Sequence, residues 1–568
     1  MKFTIEKVGL SRAAAAVALA VSCLHPALAQ ATPAPLAPKV QLSDGVIEGL
    51  RMPAGQTHLQ IFRGIPYAAP PVGEFRWREP QPVARWAGVR TAREFMPRCM
   101  QAKASPQEFR SAEMSEDCLY LNVWAPADSK FNEKLPVLVY FHGGGFMNGD
   151  GSEGRYDGAN LAARGIVMVT VNYRLGAFGF LALPEAARES PHGAAGNYGL
   201  LDQVAALRWV RDNITKFGGD PSKVTIAGNS AGSIAVSAHM ASPLSRGLFA
   251  RAIGQSGGAF ATHKLWEREQ AERAATQFAE RVDATSLQQL RALPAQRILD
   301  ASMEGKRSMF WPHIDSHFLT DSPEFVFNTG GQAPVPLLVG ANSQEAHFTA
   351  ILGQTAPTPE NWLRTVKALF PNRSDEVLAQ YPGHDNNEVM HAGTALASDL
   401  FMGHSTWRWM QAHRETGRAP VYFYRFAHPR PPKMDDEQRP LPQPQPVLGA
   451  VHSAEIEYAL GNMRNKRKFA WTAQDYEVSR TFSGYIEQFV KTGNPNGEAS
   501  ANSLSVAGAG QGALPSWPAV RGDNRGILQL VIGEDTHTTW DREAPRQGLI
   551  ERLLESRSWN GATGSTSQ

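Results

Sequence analysis

An α/β fold on one continuous, mostly parallel sheet is predicted by three observations. Short apolar runs rich in Val, Ile and aromatic residues occur at 135–141, 166–172, 224–227, 250–254, 335–339 and 421–426. Strands buried on both faces of a sheet have that length and composition. Between two of these runs Val204, Leu207, Val210, Ile214 and Phe217 recur at helical spacing, so strands alternate with helices. No period of roughly 20–50 residues is visible in the sequence, which removes solenoids and propellers.

Composition supports a large core. The 568 residues are 42% hydrophobic and 19% charged, against about 25% charged in ordinary soluble domains. A wholly disordered chain is excluded. Lys and Arg number 56 against 54 Asp and Glu, a formal net charge of +2. No charge block exceeds a few residues, so neither a nucleic-acid partner nor electrostatic membrane binding is indicated. No internal apolar run reaches about 18 residues, so no integral membrane span is expected.

The elements follow in chain order. Lys2, Lys7 and Arg12 precede an apolar run at 13–24, and Ala27-Leu28-Ala29 forms a small-residue cleavage site. This is the order of a secretory signal peptide over residues 1–29, cleaved after Ala29, and it predicts a secreted or periplasmic protein. A buried N-terminal helix is one alternative; a lipid-modified Cys23, after Leu19-Ala20-Val21-Ser22, is another. Without the signal, three cysteines become two, Cys99 and Cys118, the even number an oxidising compartment favours. A pair of unbonded buried thiols is the alternative.

A proline-rich leader at 33–38 is followed by strand patterns at 40–49 and 58–67. Gly218-Gly219-Asp220-Pro221 stops the helix that contains Val204 and Val210. One catalytic domain over residues 30–558 is expected. The seven prolines of 429–446 predict a stiff, extended surface loop. Like the proline-rich run, the Gly/Ala/Ser-rich run at 497–513 and the polar tail at 559–568 bury too little apolar surface to order themselves.

Chemistry enters at Gly228-Asn229-Ser230-Ala231-Gly232. After a strand, glycines two before and two after a serine permit the sharp turn of a nucleophile elbow, with Ser230 at its tip. A second match, Gly254-Gln255-Ser256-Gly257-Gly258, also follows a strand-like run. Small residues that can start a helix follow Ser230, whereas two glycines follow Ser256, each about 1 kcal/mol poor in a helix interior. Ser230 is therefore the expected nucleophile.

A serine nucleophile needs donors for the developing oxyanion. His142-Gly143-Gly144-Gly145-Phe146 follows the 135–141 strand, and its bare backbone N–H groups suit that role together with that of Ala231. No Lys-Ser/Thr follows the glycines, so a phosphate loop is excluded. The acid and base should come later in the chain. Glu345 follows the 335–339 strand and a turn, where this class of sheet places active-site groups. His347, His384, His391, His404, His413, His428, His452 and His537 compete as base. His452 ranks first because it sits in the small-residue loop Gly449-Ala450-Val451-His452-Ser453-Ala454-Glu455.

Several stretches together resemble the type B carboxylesterase family, which includes cholinesterases and bile-salt-type lipases. They are Phe62-Arg63-Gly64-Ile65-Pro66-Tyr67-Ala68, Glu116-Asp117-Cys118-Leu119-Tyr120-Leu121-Asn122, the stretch 142–146 and Val171-Asn172-Tyr173-Arg174. Gly196-Asn197-Tyr198-Gly199-Leu200-Leu201-Asp202-Gln203, Phe217-Gly218-Gly219-Asp220-Pro221, the stretch 228–232 and Thr492-Gly493-Asn494-Pro495-Asn496 continue the match. The resemblance implies the α/β-hydrolase fold, with long insertions forming the site rim. It also implies a Ser230–His452–Glu345 triad acting on a small-molecule ester through an acyl-enzyme. Gly144, Gly145 and Ala231 become the oxyanion donors, and Cys99 pairs with Cys118. No cofactor and no metal are implied.

Two departures bear on substrate. Position 229 is Asn where many relatives carry Glu. The stretch 100–117 has Phe109 as its only aromatic and no Trp, Tyr or His. Recognition of a quaternary ammonium relies on aromatic faces, so choline esters are not expected substrates. Two rival functions fit part of the sequence. A catalytically silent, partner-binding relative shares this fold, but such proteins usually lose triad members and here all three are present. A metallohydrolase built on His313-Ile314-Asp315-Ser316-His317 lacks the glutamate and a clear third ligand, so that segment is expected to be a surface turn.

Overall fold

The protein is described by a computed structural model. It covers residues 37–55, 57–102, 109–127, 133–304, 310–437, 439–442, 446–497, 514–520, 526–541 and 543–555. The expected signal peptide, Cys23, the tail at 559–568 and nearly all of 497–513 lie outside the described residues.

Among the described residues eleven strands form the main sheet. In chain order they are β1 (Leu50–Ala54), β2 (Thr57–Pro66), β3 (Tyr120–Pro126), β4 (Leu135–Phe141), β5 (Val167–Val171) and β6 (Gly219–Asn229). Then come β7 (Arg251–Gln255), β8 (Leu337–Asn342), β9 (Val421–Phe426), β10 (Ile527–Ile532) and β11 (His537–Asp541). Across the sheet the order is β11-β10-β9-β8-β7-β6-β4-β5-β3-β2-β1. Every pairing from β5 through β10 is parallel. The strands outside that block, β1 to β3 and β11, pair antiparallel. This mostly parallel sheet flanked by helices is the α/β-hydrolase fold.

The alternating side chains of these strands fill two separate cores. Val137, Val139, Phe141, Val169, Ile226 and Val339 enter one. Leu138, Tyr140, Met168, Ala227, Leu338 and Tyr424 enter the other. A strand buried on both faces needs apolar residues at both phases of its period of two, which is why these segments read as unbroken apolar runs. The first core is covered by α1 (Tyr198–Asn213), α2 (Ala231–Ala241) and α3 (His404–Thr416), through Leu207, Ile234 and Trp409 among others. Phe482 and Phe489 of α4 (Ala473–Thr492) close the second.

Chain order reverses at β4. The connection leaving β4 leads to β5 on one side, while that leaving β6 leads to β7 on the other. The crevice at the carboxyl ends of β4 and β6 is therefore a topological switch point, where open α/β sheets bind ligands.

The structure differs from expectation in a few elements. The 40–49 run is not one strand: Lys39–Gln41 and Val46–Glu48 pair antiparallel around a turn closed by Leu42 N–H donating to Gly45 O. The helix expected to reach Phe217 ends its α-helical part at Asn213 and continues as a 3₁₀ turn to Phe217. Gly218 then reverses the chain at φ 83°. The strands β1, β3, β10 and β11 are not among the expected runs. In β3 the buried Asn122 breaks the apolar pattern, but it accepts from Gly64 N–H at 2.9 Å and donates to Thr170 Oγ1 at 3.0 Å. A polar residue satisfied by neighbouring strands has no local signature. The described part of the proline-rich run is anchored rather than free. Met434 N–H donates to Lys468 O at 2.6 Å and Ala470 N–H to Pro432 O at 3.1 Å. Cys99 and Cys118 form a disulfide. Among the described residues no helix is long and apolar enough to cross a membrane.

Candidate active site

Ser230 stands between β6 and α2 with φ 56° and ψ −123°, a strained position for a residue with a side chain. The two elbow glycines are required by contact. A Cβ on Gly228 would lie 2.4 Å from the carbonyl carbon of Gly232, and one on Gly232 would lie 2.1 Å from Phe141 O. Strand, elbow and helix therefore pack backbone to backbone, and any larger residue would open the turn. The elbow is held by Ser230 N–H donating to Gln255 O at 2.9 Å and Ile234 N–H donating to Ser230 O at 2.9 Å. Ser230 is only 8% exposed.

The glycine loop after β4 lies directly on this elbow. A Cβ on Gly143 would come within 2.8 Å of Asn229 O and 3.2 Å of Ser230 Cβ. Gly144 has φ 113° and would clash with Asn148 O at 2.1 Å if it carried a Cβ, so only glycine holds the loop so tight. His142 anchors it from behind. Its ring stacks on Tyr173 at 4.4 Å, its Nδ1 donates to Gly143 O at 2.9 Å, and Tyr173 Oη donates to His142 O at 2.8 Å. Burial lowers the His142 pKa to about 4, so the ring is neutral and structural. Ala231 is the first residue of α2, where backbone N–H groups have no partner within the helix.

Glu345 follows β8 and is buried, with 1% of its side chain exposed. It accepts three hydrogen bonds: His452 Nδ1–H at 2.5 Å on Oε2, and Ser256 Oγ–H at 2.6 Å and Asn342 N–H at 2.6 Å on Oε1. Burial alone disfavours the His452 imidazolium. The charge and hydrogen bond of Glu345, joined by the charge of Glu455, outweigh it, and the His452 pKa is raised above its ordinary value. Among the other candidate histidines, His404 bonds Gln547, His413 bonds Val335 O and His428 bonds Asp475. These are packing roles.

The structure thus brings Glu345 and His452 into contact and sets Gly143 against Ser230. A frame not expected from sequence joins the segments that carry them. Asn229 Nδ2 donates to Glu455 Oε1 at 2.7 Å, and Asn342 Nδ2 donates to Glu455 Oε2 at 2.6 Å. Ser453 Oγ donates to Asn229 Oδ1 at 2.8 Å. Asn229 precedes Ser230, Asn342 ends β8 before Glu345, and Ser453 follows His452. One fully buried carboxylate therefore cross-links the three loops. Burial, then the charge of Glu345, raises the Glu455 pKa. Ser256 was expected to be no nucleophile; its hydroxyl is committed to Glu345. The only clue to this frame in the sequence is its small polar residues flanking the elbow and the His452 loop.

Aromatic rings wall the site. Phe401 meets His452 at 5.1 Å, His263 meets Phe401 at 6.0 Å and Trp311 at 6.2 Å, and Trp311 meets Phe146 at 5.2 Å. Burial, reinforced by the neighbouring His452, lowers His263 to about 4, so this wall is neutral. The face of Phe109 carries the Arg98 guanidinium at 4.8 Å. The 313–317 segment is not a surface turn: His313 is 1% and Asp315 2% exposed.

Comparison with known proteins agrees with this geometry. The chain matches the carboxylesterase family over residues 36–544. It is 36% identical over 430 residues to fumonisin B1 esterase of Sphingopyxis macrogoltabida, covering 74% of this chain and 77% of that protein. It is 33% identical over 515 residues to para-nitrobenzyl esterase of Bacillus subtilis (strain 168), covering 87% and 95%. With acetylcholinesterase of Electrophorus electricus the identity is 34% over 521 residues, covering 80% and 79%. An elbow serine beside a glycine loop at the switch point, on a chain matched nearly end to end, leads to one conclusion: this protein is a carboxylic ester hydrolase and belongs to the carboxylesterase family.

Proposed function

We propose that the chain cleaves small-molecule carboxylic esters through an acyl-enzyme, with Ser230 as nucleophile, His452 as general base and acid, and Glu345 as its orienting carboxylate. The observation that carries this reading is the Glu345–His452 bond at 2.5 Å, on a segment tied to the elbow of Ser230 by the Ser453–Asn229 hydrogen bond at 2.8 Å. His452 takes the Ser230 proton as the hydroxyl attacks the ester carbonyl, then returns it to the leaving alcohol; water repeats the cycle to release the acid. Glu345 fixes the imidazole with its proton on Nδ1, leaving Nε2 to face the serine, and stabilises the imidazolium. The backbone N–H groups of Gly144, Gly145 and Ala231 receive the oxyanion.

Neutral aromatic walls favour apolar acyl and alcohol groups. One face of Phe109, the only aromatic residue of the Cys99–Cys118 loop, is already occupied by Arg98, which leaves a choline little aromatic surface there. The disulfide supports work outside a reducing cytosol, in the periplasm or the medium. Ser230→Ala tests the assignment: it should abolish both hydrolysis of a p-nitrophenyl ester and labelling by a serine-reactive phosphonate. Labelling that persists in Ser230→Ala removes Ser230 from this role.

A further inference from the structure

Glu79, His192 and His317 come from three separate segments and meet at one place on the surface. Their potential ligand atoms all lie within 4.8 Å of one another. His192 Nε2 is 3.8 Å and His317 Nε2 4.0 Å from the same oxygen, Glu79 Oε2. The two imidazoles stack with centroids 3.8 Å apart and planes 9° apart.

Each of the three is held from behind. Ser190 Oγ donates to Glu79 Oε1 at 3.1 Å, which leaves Oε2 facing the histidines, and the same Oγ accepts His192 N–H at 3.2 Å. On the other side the buried Asp315 accepts His317 N–H and Leu319 N–H, each at 3.0 Å on Oδ1. Arg268 in turn donates to Asp315 O at 2.5 Å. The bond to Glu79 orients a ligating carboxylate, as in protein metal sites, while those to His192 and His317 fix the backbone that carries the two rings.

We propose that Glu79, His192 and His317 bind a divalent transition-metal ion, zinc above all, through Glu79 Oε2 and the two Nε2 atoms. Two imidazole nitrogens and one carboxylate oxygen form a zinc donor set, with a fourth, tetrahedral position for water. Magnesium and calcium prefer all-oxygen surroundings, so the imidazole pair selects against them. Two parallel, stacked rings cannot both present an in-plane lone pair to one ion, so one ring must turn. His192 is the one free to do so, with 46% of its side chain exposed against 15% for His317. The ion is a brace rather than a reacting centre. It ties the loops of Glu79 and His192 to the segment running from Trp311 to His317, and Trp311 packs on Phe146 in the wall of the candidate active site. The sequence alone presented His313 and His317 as the pair; the fold replaces His313 with His192 and Glu79.

The test uses chelator-stripped protein titrated with Co²⁺, read by visible absorption, and with Zn²⁺, read by calorimetry and thermal midpoint. One ion should bind per chain, and saturating Zn²⁺ should raise the midpoint by about 3 °C. His192→Ala, His317→Ala and Glu79→Gln should each weaken binding at least about tenfold. His537→Ala, which removes an exposed histidine outside the cluster, should bind as wild type. The midpoint of each variant in chelator reports whether it has folded, and His192→Ala, at the most exposed of the three, carries the test if another fails to fold. The proposal is overturned if stripped wild-type protein shows no saturable binding. It is overturned equally if a folded His192→Ala variant binds with wild-type affinity.

Discussion

Replacing Ser256 with alanine removes one of the three hydrogen bonds that hold Glu345. The lost bond is the 2.6 Å contact to Oε1; Asn342 N–H remains on the same oxygen and His452 remains on Oε2. With 1% of the Glu345 side chain exposed, water cannot replace the hydroxyl without disturbing the packing. A hydrogen bond to a charged group contributes about 1.5–3 kcal/mol. Expressed wholly in the transition state, that is about a 10- to 150-fold fall in rate. Because the bond to His452 is on the other oxygen, the loss divides between stability and rate. We expect kcat to fall by about tenfold and stability by about 1.5 kcal/mol, with KM for a small ester unchanged. The measurements are steady-state hydrolysis of p-nitrophenyl acetate, urea unfolding, and stoichiometric phosphonate titration. The variant should still take up one phosphonate per chain. Wild-type values of both kcat and stability would refute the positioning role of Ser256. Loss of the label in Ser256→Ala with full labelling of Ser230→Ala would refute the elbow assignment itself.

Glu345→Gln should keep the fold and lower kcat by up to about 10⁴, the effect of neutralising a triad acid; near-wild-type activity would move the acid elsewhere. The pH profile gives a second readout of the same variant. In the wild type Glu345 raises the His452 pKa, so kcat/KM falls as pH drops through a value above that of a free imidazole. Without the carboxylate charge, burial is left to favour the neutral ring, and the acid limb should shift to lower pH. An unmoved limb would show that another group sets it. Reducing the Cys99–Cys118 disulfide, which spans a sequence separation of 19, should lower stability by about 3 kcal/mol. For a chain this long the thermal midpoint should drop by about 3 °C, and an unchanged midpoint on full reduction would contradict the loop-entropy reasoning.

The sequence by itself determined the sheet's central strands, the elbow, the glycine loop and, through family resemblance, the disulfide and the pairing of Glu345 with His452. These are legible because each rests on local chemistry. A strand buried on both faces is apolar at most positions of both phases, and a backbone approach of 2.1 Å at Gly232 tolerates only glycine. Tertiary structure decided what local chemistry leaves open. Ser256 shares the Gly-x-Ser-x-Gly spacing of Ser230 and differs only in the glycines that follow it; the fold alone shows its hydroxyl spent on Glu345. Asn229, Asn342, Ser453 and Glu455 look like ordinary polar residues along the chain, yet they join into one buried frame. Asn122 broke the pattern of β3 because its partners, Gly64 and Thr170, sit on strands far away in sequence. Glu79, His192 and His317 likewise meet only because three loops converge. A buried polar group is stable only with partners, and partners brought from distant segments exist once the chain has folded and not before.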